Sequence, residues 1–300
     1  MTEAIRSTRG FGHGKVILLG EHAVVFGQPA LAAGLRRGIV AEATPGVGRI
    51  TIAPWMVSLH RTEMHPVCDA VNAIAQSLGA DNFDLDIVPD LPGGAGLGSS
   101  AAMAVAVARA LSIDGDGGRI DAAILASERI FHANPSGIDA AAATSGGVGR
   151  FSRETGWRPI AVRQPVKLCV GFSGVKRQTS TLVESVTRLC RVTPVANRMI
   201  ETLGALSEAG VQCLENGDVD GLGRLFNMAH GVLSGLGVST TELEALVRSA
   251  RSAGAIGAKL TGAGGGGAVI ALAPSHRQDV LAAWQSEGFE GFATEIGFST

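Results

Sequence analysis

Apolar residues in this chain gather into runs separated by glycine-bearing turns, and the runs are of two kinds. The short ones read as strands. Lys15 to Gly20 (KVILLG) is a continuous apolar run bounded by glycines, as in a buried strand. Gly38 to Thr44, Arg49 to Ala53 and Phe83 to Val88 are further strands, the last alternating apolar and acidic residues. The longer runs carry helical spacing. Pro66 to Leu78 places Val67, Ala70, Val71, Ile74 and Leu78 on one face. Asp121 to His132 follows with Ile124, Leu125 and Phe131. Beyond it, Gly147 to Phe151 and Val166 to Phe172 read as strands, with Arg153 to Pro165 as a connection. Helices are predicted over Pro194 to Asn216, Val219 to Leu236 and Thr240 to Ala253, with Gly and Asn at their ends, and a strand over Ala268 to Ala273.

The most informative stretch is Leu91 to Leu111, LPGGAGLGSSAAMAVAVARAL. Four glycines (Gly93, Gly94, Gly96, Gly98) and two serines stand ahead of an Ala/Val/Met segment that reads as a buried helix. Glycine lets a backbone turn sharply and approach a ligand closely, and a helix N-terminus attracts anions. Ser99 and Ser100 are placed to cap the helix, bind phosphate oxygens or reach a metal. A plain serine-capped turn is the simpler reading, but four glycines with two serines favour anion binding. It is not a Walker A loop, which needs a Lys directly after its last Gly; here Ser99 follows Gly98. The phosphate-side cation has to come from elsewhere in the chain.

A second glycine run, Gly262 to Gly267, formally matches GxGxxG but precedes a strand, whereas a dinucleotide fold needs strand, glycines, then helix. Close approach to a ligand or to another loop explains it better than a slack turn. Around Asn134 to Asp139, Pro135 and Gly137 set a turn that holds Asp139 near the start of an Ala-rich helix, where capping is its ordinary role. Glu128 sits in a helix of low charge density and is either solvent-facing or spent on a cation. Lys15, Glu21 and His22 are not diagnostic on their own: a lone Lys at a strand edge and a Glu-His pair are ordinarily solvated. His60 and His65 lack an HExxH arrangement and read as non-ligands.

Composition narrows the picture. Three hundred residues imply two domains, divided as 1–160 and 161–300. Charged residues are only 17%, against about 25% in typical domains. The net charge of −2, with no basic run, leaves no electrostatic footprint for nucleic acid or a membrane surface. The four cysteines lack CxxC spacing, which argues against a zinc site or a disulfide framework. No segment has the apolar core of a signal peptide or the length to span a bilayer, so the expectation is a soluble, cytoplasmic protein.

Three glycine-bearing segments in this order resemble the GHMP kinases, the superfamily of galactokinase, homoserine, mevalonate and phosphomevalonate kinases. KVILLGEHAVVFGQPA is similar to the opening signature of its mevalonate kinases, LPGGAGLGSSAA to the superfamily's phosphate loop, HANPSGID to the metal and base region, and KLTGAGGGGAVIAL to the third motif. Phe26 and Ala133 depart from the usual residues, and SGVKRQT follows the substrate turn only loosely.

The resemblance implies an α+β fold of two domains, ribosomal-S5-like then ferredoxin-like, with the active site in the interdomain cleft. It implies ATP and Mg²⁺ as cofactors and mevalonate as substrate. The nucleotide would meet Pro92, Gly94, Gly96, Leu97, Gly98, Ser99, Ser100, Gly264 and Gly265. The metal would meet Ser100 and Glu128, which suit Mg²⁺ as oxygen ligands. Lys15 would neutralise phosphoryl charge, and Asp139 would be the base. Glu21, His22, Arg177 and Thr179 would hold the substrate, with Arg177 on its carboxylate. A homodimer is implied as well. Two alternatives remain at this point: the same fold acting on phosphomevalonate or another small alcohol, and a non-catalytic ligand sensor.

Overall fold

The strand expected at Lys15 to Gly20 is the end of a longer one, β1 (Thr8–Leu19). Chain order continues with a 3-10 turn (Ala23–Phe26), β2 (Ala30–Pro45), β3 (Arg49–Ile52), β4 (Val57–His60), α1 (Pro66–Leu78), β5 (Phe83–Pro89), α2 (Ser99–Leu111), α3 (Gly117–Phe131) and α4 (Ile138–Ser145). Then come β6 (Val148–Ser152), β7 (Gly156–Pro159), β8 (Val166–Phe172), α5 (Thr179–Val192), α6 (Pro194–Asn216), α7 (Val219–Gly235) and α8 (Thr241–Ser252). The last four are β9 (Gly257–Thr261), β10 (Ala268–Leu272), α9 (Arg277–Ser286) and β11 (Glu290–Ile296). The computed structural model describes residues 8–53, 56–112, 115–131, 136–175 and 179–297.

The chain divides into two compact units, interleaved rather than cut once near residue 160. Of the described residues, the first gathers those up to Gly14, in Arg37–Pro92 and in Gly98–Gly146; the second gathers those in Lys15–Arg36, in Gly93–Leu97 and from Gly147 on. The reason is covalent. β1 and β2 are long enough to contribute one end to each unit.

In the first unit, β2 pairs antiparallel with β5 from Ile39↔Pro89 to Pro45↔Phe83. β3 runs parallel to β5 and antiparallel to β4. The alternation read in Phe83 to Val88 is real: Phe83, Leu85 and Ile87 are buried. Helix α1 starts at Pro66 with His65 as its cap, the imidazole accepting from the Val67 N–H at 3.2 Å.

Helix α2 is buried along nearly its whole length, and small side chains let β1 lie directly on it. A Cβ on Gly10 would come within 2.0 Å of the Ala106 carbonyl oxygen, and one on Gly12 within 2.0 Å of that of Ala102. The Thr8 hydroxyl donates to the carbonyl of Ala110. Steps of two along the strand thus match steps of four along the helix, roughly 6–7 Å in each case. This reaches seven residues N-terminal to the strand the apolar run predicts, because the pattern there is of small residues rather than apolar ones.

In the second unit, Ala30–Ala33 of β2 pair with β6, and β6 pairs with β7. The segment read as a plain connection, Arg153 to Pro165, therefore holds a strand. Its four residues, GWRP, are too short and polar to announce one. The other sheet has the order β11-β8-β10-β9, all antiparallel. Helices α6 and α7 pack together, and the turn between them uses Gly217 at φ 73° to end α6 and Asp218 to cap α7 at the Gly221 N–H.

Gly12→Val should drive α2 off β1. The expected loss is at least the roughly 1–3 kcal/mol of an overpacked core, read as a lower urea midpoint at unchanged m-value.

Candidate active site

In the first unit the chemistry collects around α2, which packs against α3 and α4. The N-cap of α2 is Gly98 at φ 73°, so Ser99 and Ser100 are the first two helical residues and do not cap it. A left-handed cap needs no side chain, and both hydroxyls are released from capping. Ser99 Oγ donates to the Pro92 carbonyl at 3.5 Å. The first N–H groups of a helix lack intrahelical partners, and here they follow a glycine turn.

Glu128 on α3 is buried, which removes the solvent-facing reading of its carboxylate. Beside it, Ser127 Oγ is buried without a hydrogen-bond partner. Asp139 lies in the first turn of α4, half-buried, and the cap is Gly137 at φ 84°. The capping role expected of Asp139 is thus taken by a glycine. Arg109 donates to the carbonyls of Phe11 (2.7 Å) and Thr144 (2.8 Å), tying α2 to β1 and α4.

In the second unit, Lys15 is buried, not solvated, and its backbone N–H donates to the Leu97 carbonyl at 2.8 Å. That bond anchors the glycine segment Gly93–Leu97 beside the start of an apolar strand. At the strand's other end the backbone turns sharply. Gly20 has φ 92°, and a Cβ there would lie 2.6 Å from Ala30 Cα. His22 has φ 61° and ψ −44°, a conformation that costs a non-glycine residue on the order of 1–3 kcal/mol. The turn carries Glu21 and His22 inward, both buried, against their ordinary place at a surface.

His22 Nε2 lies 2.9 Å from the Ala263 carbonyl, so Nε2 holds the proton and Nδ1 is an acceptor. Burial lowers the His22 pKa, with the carbonyl opposing, and keeps the ring neutral. Nδ1 is buried and unpartnered. Glu21 Oε1 accepts from Lys259 Nζ, and its other oxygen, Oε2, is buried with no partner. Burial pushes the Glu21 carboxyl up; the Lys259 ammonium, and more weakly Lys15, pull it back. Lys259 is lowered by the same burial, with Glu21 opposing.

Thr261 joins this strand to β1: its hydroxyl accepts from the Ile17 N–H at 3.0 Å and donates to the Ile17 carbonyl at 2.9 Å. Lys259 and Thr261 were not singled out by spacing or charge. The signal available was a lone Lys in GAKLT, a run whose five residues are all buried.

The second glycine run does make the close approach expected of it, to the chain itself. A Cβ on Gly264 would lie 2.1 Å from the Val238 oxygen, and one on Gly265 2.4 Å from Leu182 Cδ1. The Gly265 N–H donates to Val238 at 2.8 Å. Arg177 lies outside the described residues, as do His132 to Pro135, and Thr179 is the first residue of α5. Among the described residues no cluster of three or more His, Cys, Asp or Glu side chains could hold a metal.

Two family models match the chain, the GHMP kinases N-terminal domain over residues 65–147 and the GHMP kinases C-terminal domain over 211–290. The chain belongs to the GHMP kinase family, and it is an enzyme of the kinase class. Among its relatives, the mevalonate kinase of Aeropyrum pernix is 36% identical over 291 residues, covering 89% of each chain. That of Pyrococcus horikoshii is 33% identical, covering 91% of each. Among solved structures, L. major mevalonate kinase in complex with R-mevalonate matches over 100% of both chains at 28% identity, TM-score 0.87. Mevalonate kinase from methicillin-resistant Staphylococcus aureus matches at 27% identity, TM-score 0.73, over 98% of this chain and all of the other.

Thr261→Val keeps the side chain's shape but strands two buried backbone groups of Ile17; a loss of about 2 kcal/mol or more in urea unfolding is expected, with Thr261→Ser close to wild type. Because the folded His22 refuses protons that the unfolded chain accepts, its contribution is full above about pH 6.5 and is lost as the pH falls. Glu21 acts in the opposite sense, so the check is comparative. Between pH 7.5 and 5.5, His22→Gln should lose less stability than wild type in parallel urea titrations.

Proposed function

We propose that this chain transfers the γ-phosphoryl group of ATP to the 5-hydroxyl of mevalonate, giving 5-phosphomevalonate and ADP. The observation that carries the reading is the pair of buried, unpartnered acceptors, Glu21 Oε2 and His22 Nδ1, in a chain whose relatives across most of its length are mevalonate kinases. Leaving such atoms unbonded is costly, and the acceptor's other hydroxyl, whose proton the reaction leaves in place, is a donor for one of them. Arg177 is assigned to the carboxylate and Thr179 to a hydroxyl, following the family's motif.

The nucleotide's phosphates are assigned to the segment Pro92, Gly94, Gly96, Leu97, Gly98, Ser99 and Ser100, where glycine backbone and a helix N-terminus favour an anion. Gly264 and Gly265 belong to the same nucleotide reading through their backbone. Lys15 neutralises charge that develops on the transferring group. Asp139 takes the proton of the 5-hydroxyl as its oxygen bonds to the γ-phosphorus, while the bond to the bridging oxygen breaks and ADP departs.

The donor set at Ser100 and Glu128, one hydroxyl and one buried carboxylate, suits Mg²⁺, which is held by one or two carboxylates plus substrate phosphates. When bound, the ion would neutralise phosphate charge. A homodimer in the cytoplasm completes the reading; among the described residues no helix is long and apolar enough to cross a membrane.

An ADP-release assay with ATP and Mg²⁺ over mevalonate, phosphomevalonate, galactose and homoserine tests this. Turnover on mevalonate is expected, with Asp139→Asn slower by about two to four orders of magnitude, the usual contribution of a general base. Turnover on another acceptor would overturn the substrate assignment, and an unimpaired Asp139→Asn would overturn the base.

A further inference from the structure

β9 is the edge strand of its sheet, with β10 on one side only, yet all five of its residues are buried. Its open edge is closed by side chains. Asn227 on α7 accepts from the Ala258 N–H at 3.1 Å through Oδ1 and donates to the Ile256 carbonyl at 3.1 Å through Nδ2. One amide group thus reproduces the paired donor and acceptor of a neighbouring strand. One turn along α7, His230 Nδ1 accepts from the Leu260 N–H at 3.4 Å, and its Nε2 lies 3.2 Å from a Glu244 carboxylate oxygen. The two partners fix the tautomer, because the Leu260 N–H requires an unprotonated Nδ1. Arg251 donates to the Ala258 carbonyl at 2.9 Å.

Lys259 lies between the two residues so held. Its ammonium donates to Glu21 Oε1 and to the Leu260 carbonyl at 2.7 Å, and it lies over the ring of Phe226, 5.9 Å from the centroid. Phe226 precedes Asn227 on the same helix. Because Lys259 is fully buried, any tilt or slip of β9 withdraws the ammonium from Glu21 with no solvent to replace that bond.

We propose that Asn227 and His230 are positioning residues for acceptor binding: they replace the missing neighbour of β9 and aim Lys259 at Glu21, so that Glu21 keeps one oxygen for a hydroxyl of the acceptor. This rests on the reading of Glu21 as an acceptor contact. None of the glycine-bearing segments that carry the resemblance lies on α7, and the assignment of Asn227 and His230 comes from their hydrogen bonds.

The test is steady-state kinetics on the full chain, with mevalonate and ATP varied in turn. His230→Leu and Asn227→Leu should raise KM for mevalonate about tenfold, the scale of one weakened bond to a charged group, with KM for ATP nearly unchanged. His230→Gln, whose amide can accept from Leu260 and donate to Glu244, should recover much of the loss. Ile74→Val, a core substitution in α1, controls for lowered stability and should leave both KM values in place. If His230→Leu does not fold, Asn227→Ala carries the same comparison. The inference is overturned if the variants shift KM for mevalonate no more than Ile74→Val does, or raise both KM values together. A wild type that ignores mevalonate but phosphorylates another alcohol defeats the substrate reading alone, and the comparison is then made with that alcohol. No turnover on any acceptor defeats both.

Discussion

A lysine and a glutamate, each almost fully buried, meet inside the second unit, and much of the local structure exists to make that possible. Burying two charges costs several kcal/mol per ion, and even a good pair recovers that cost only in part. An apolar pair of similar volume could serve stability as well. What an apolar pair could not do is leave a carboxylate oxygen in place with nothing bonded to it. Glu21 Oε2 is that oxygen, and the neutral His22 ring offers a second vacant acceptor one residue away. The left-handed backbone at His22 is part of the same arrangement, a local strain held by the Ala263 bond and the turn at Gly20.

The strand leading to this turn serves two kinds of packing in succession. From Thr8 to Gly12 it is glycine-rich and lets α2 approach to backbone contact. From Lys15 onward it is apolar and buried, tied to β9 by Thr261 and to the glycine segment by the bond from Lys15 to Leu97. Both halves act through the absence of bulk, in one case to seat a helix and in the other to bring main chain close to main chain. That economy fits a composition of 42 glycines and few charges.

Much of this was legible in the sequence, for identifiable reasons. Helices α1, α6, α7 and α8 have long periodic apolar faces with clear ends, and their bounds lie close to the pattern. The glycine-serine turn before α2 is legible as a turn leading into a buried helix. Strands β4 and β7 were not legible, being four residues long and partly exposed. The site divides in the same way. Residues within the three glycine motifs could be carried over from the family, but the burial of Lys15, Glu21 and His22 could not, since nothing local separates a solvated Glu-His pair from an internal one. The partner of Glu21 lies 238 positions away, and no periodicity reaches that far. The simpler alternative for Ser99 and Asp139, as helix caps, is removed because Gly98 and Gly137, in left-handed conformation, take those positions.

On the reading proposed above, Lys259 and Glu21 act on the acceptor as one unit. The most direct measurement is a double-mutant cycle in kcat/KM for mevalonate, using Glu21→Gln, Lys259→Met and the two combined. If the pair is one unit, the double variant will be about as impaired as either single one. Losses that multiply, as for independent sites, would contradict the account.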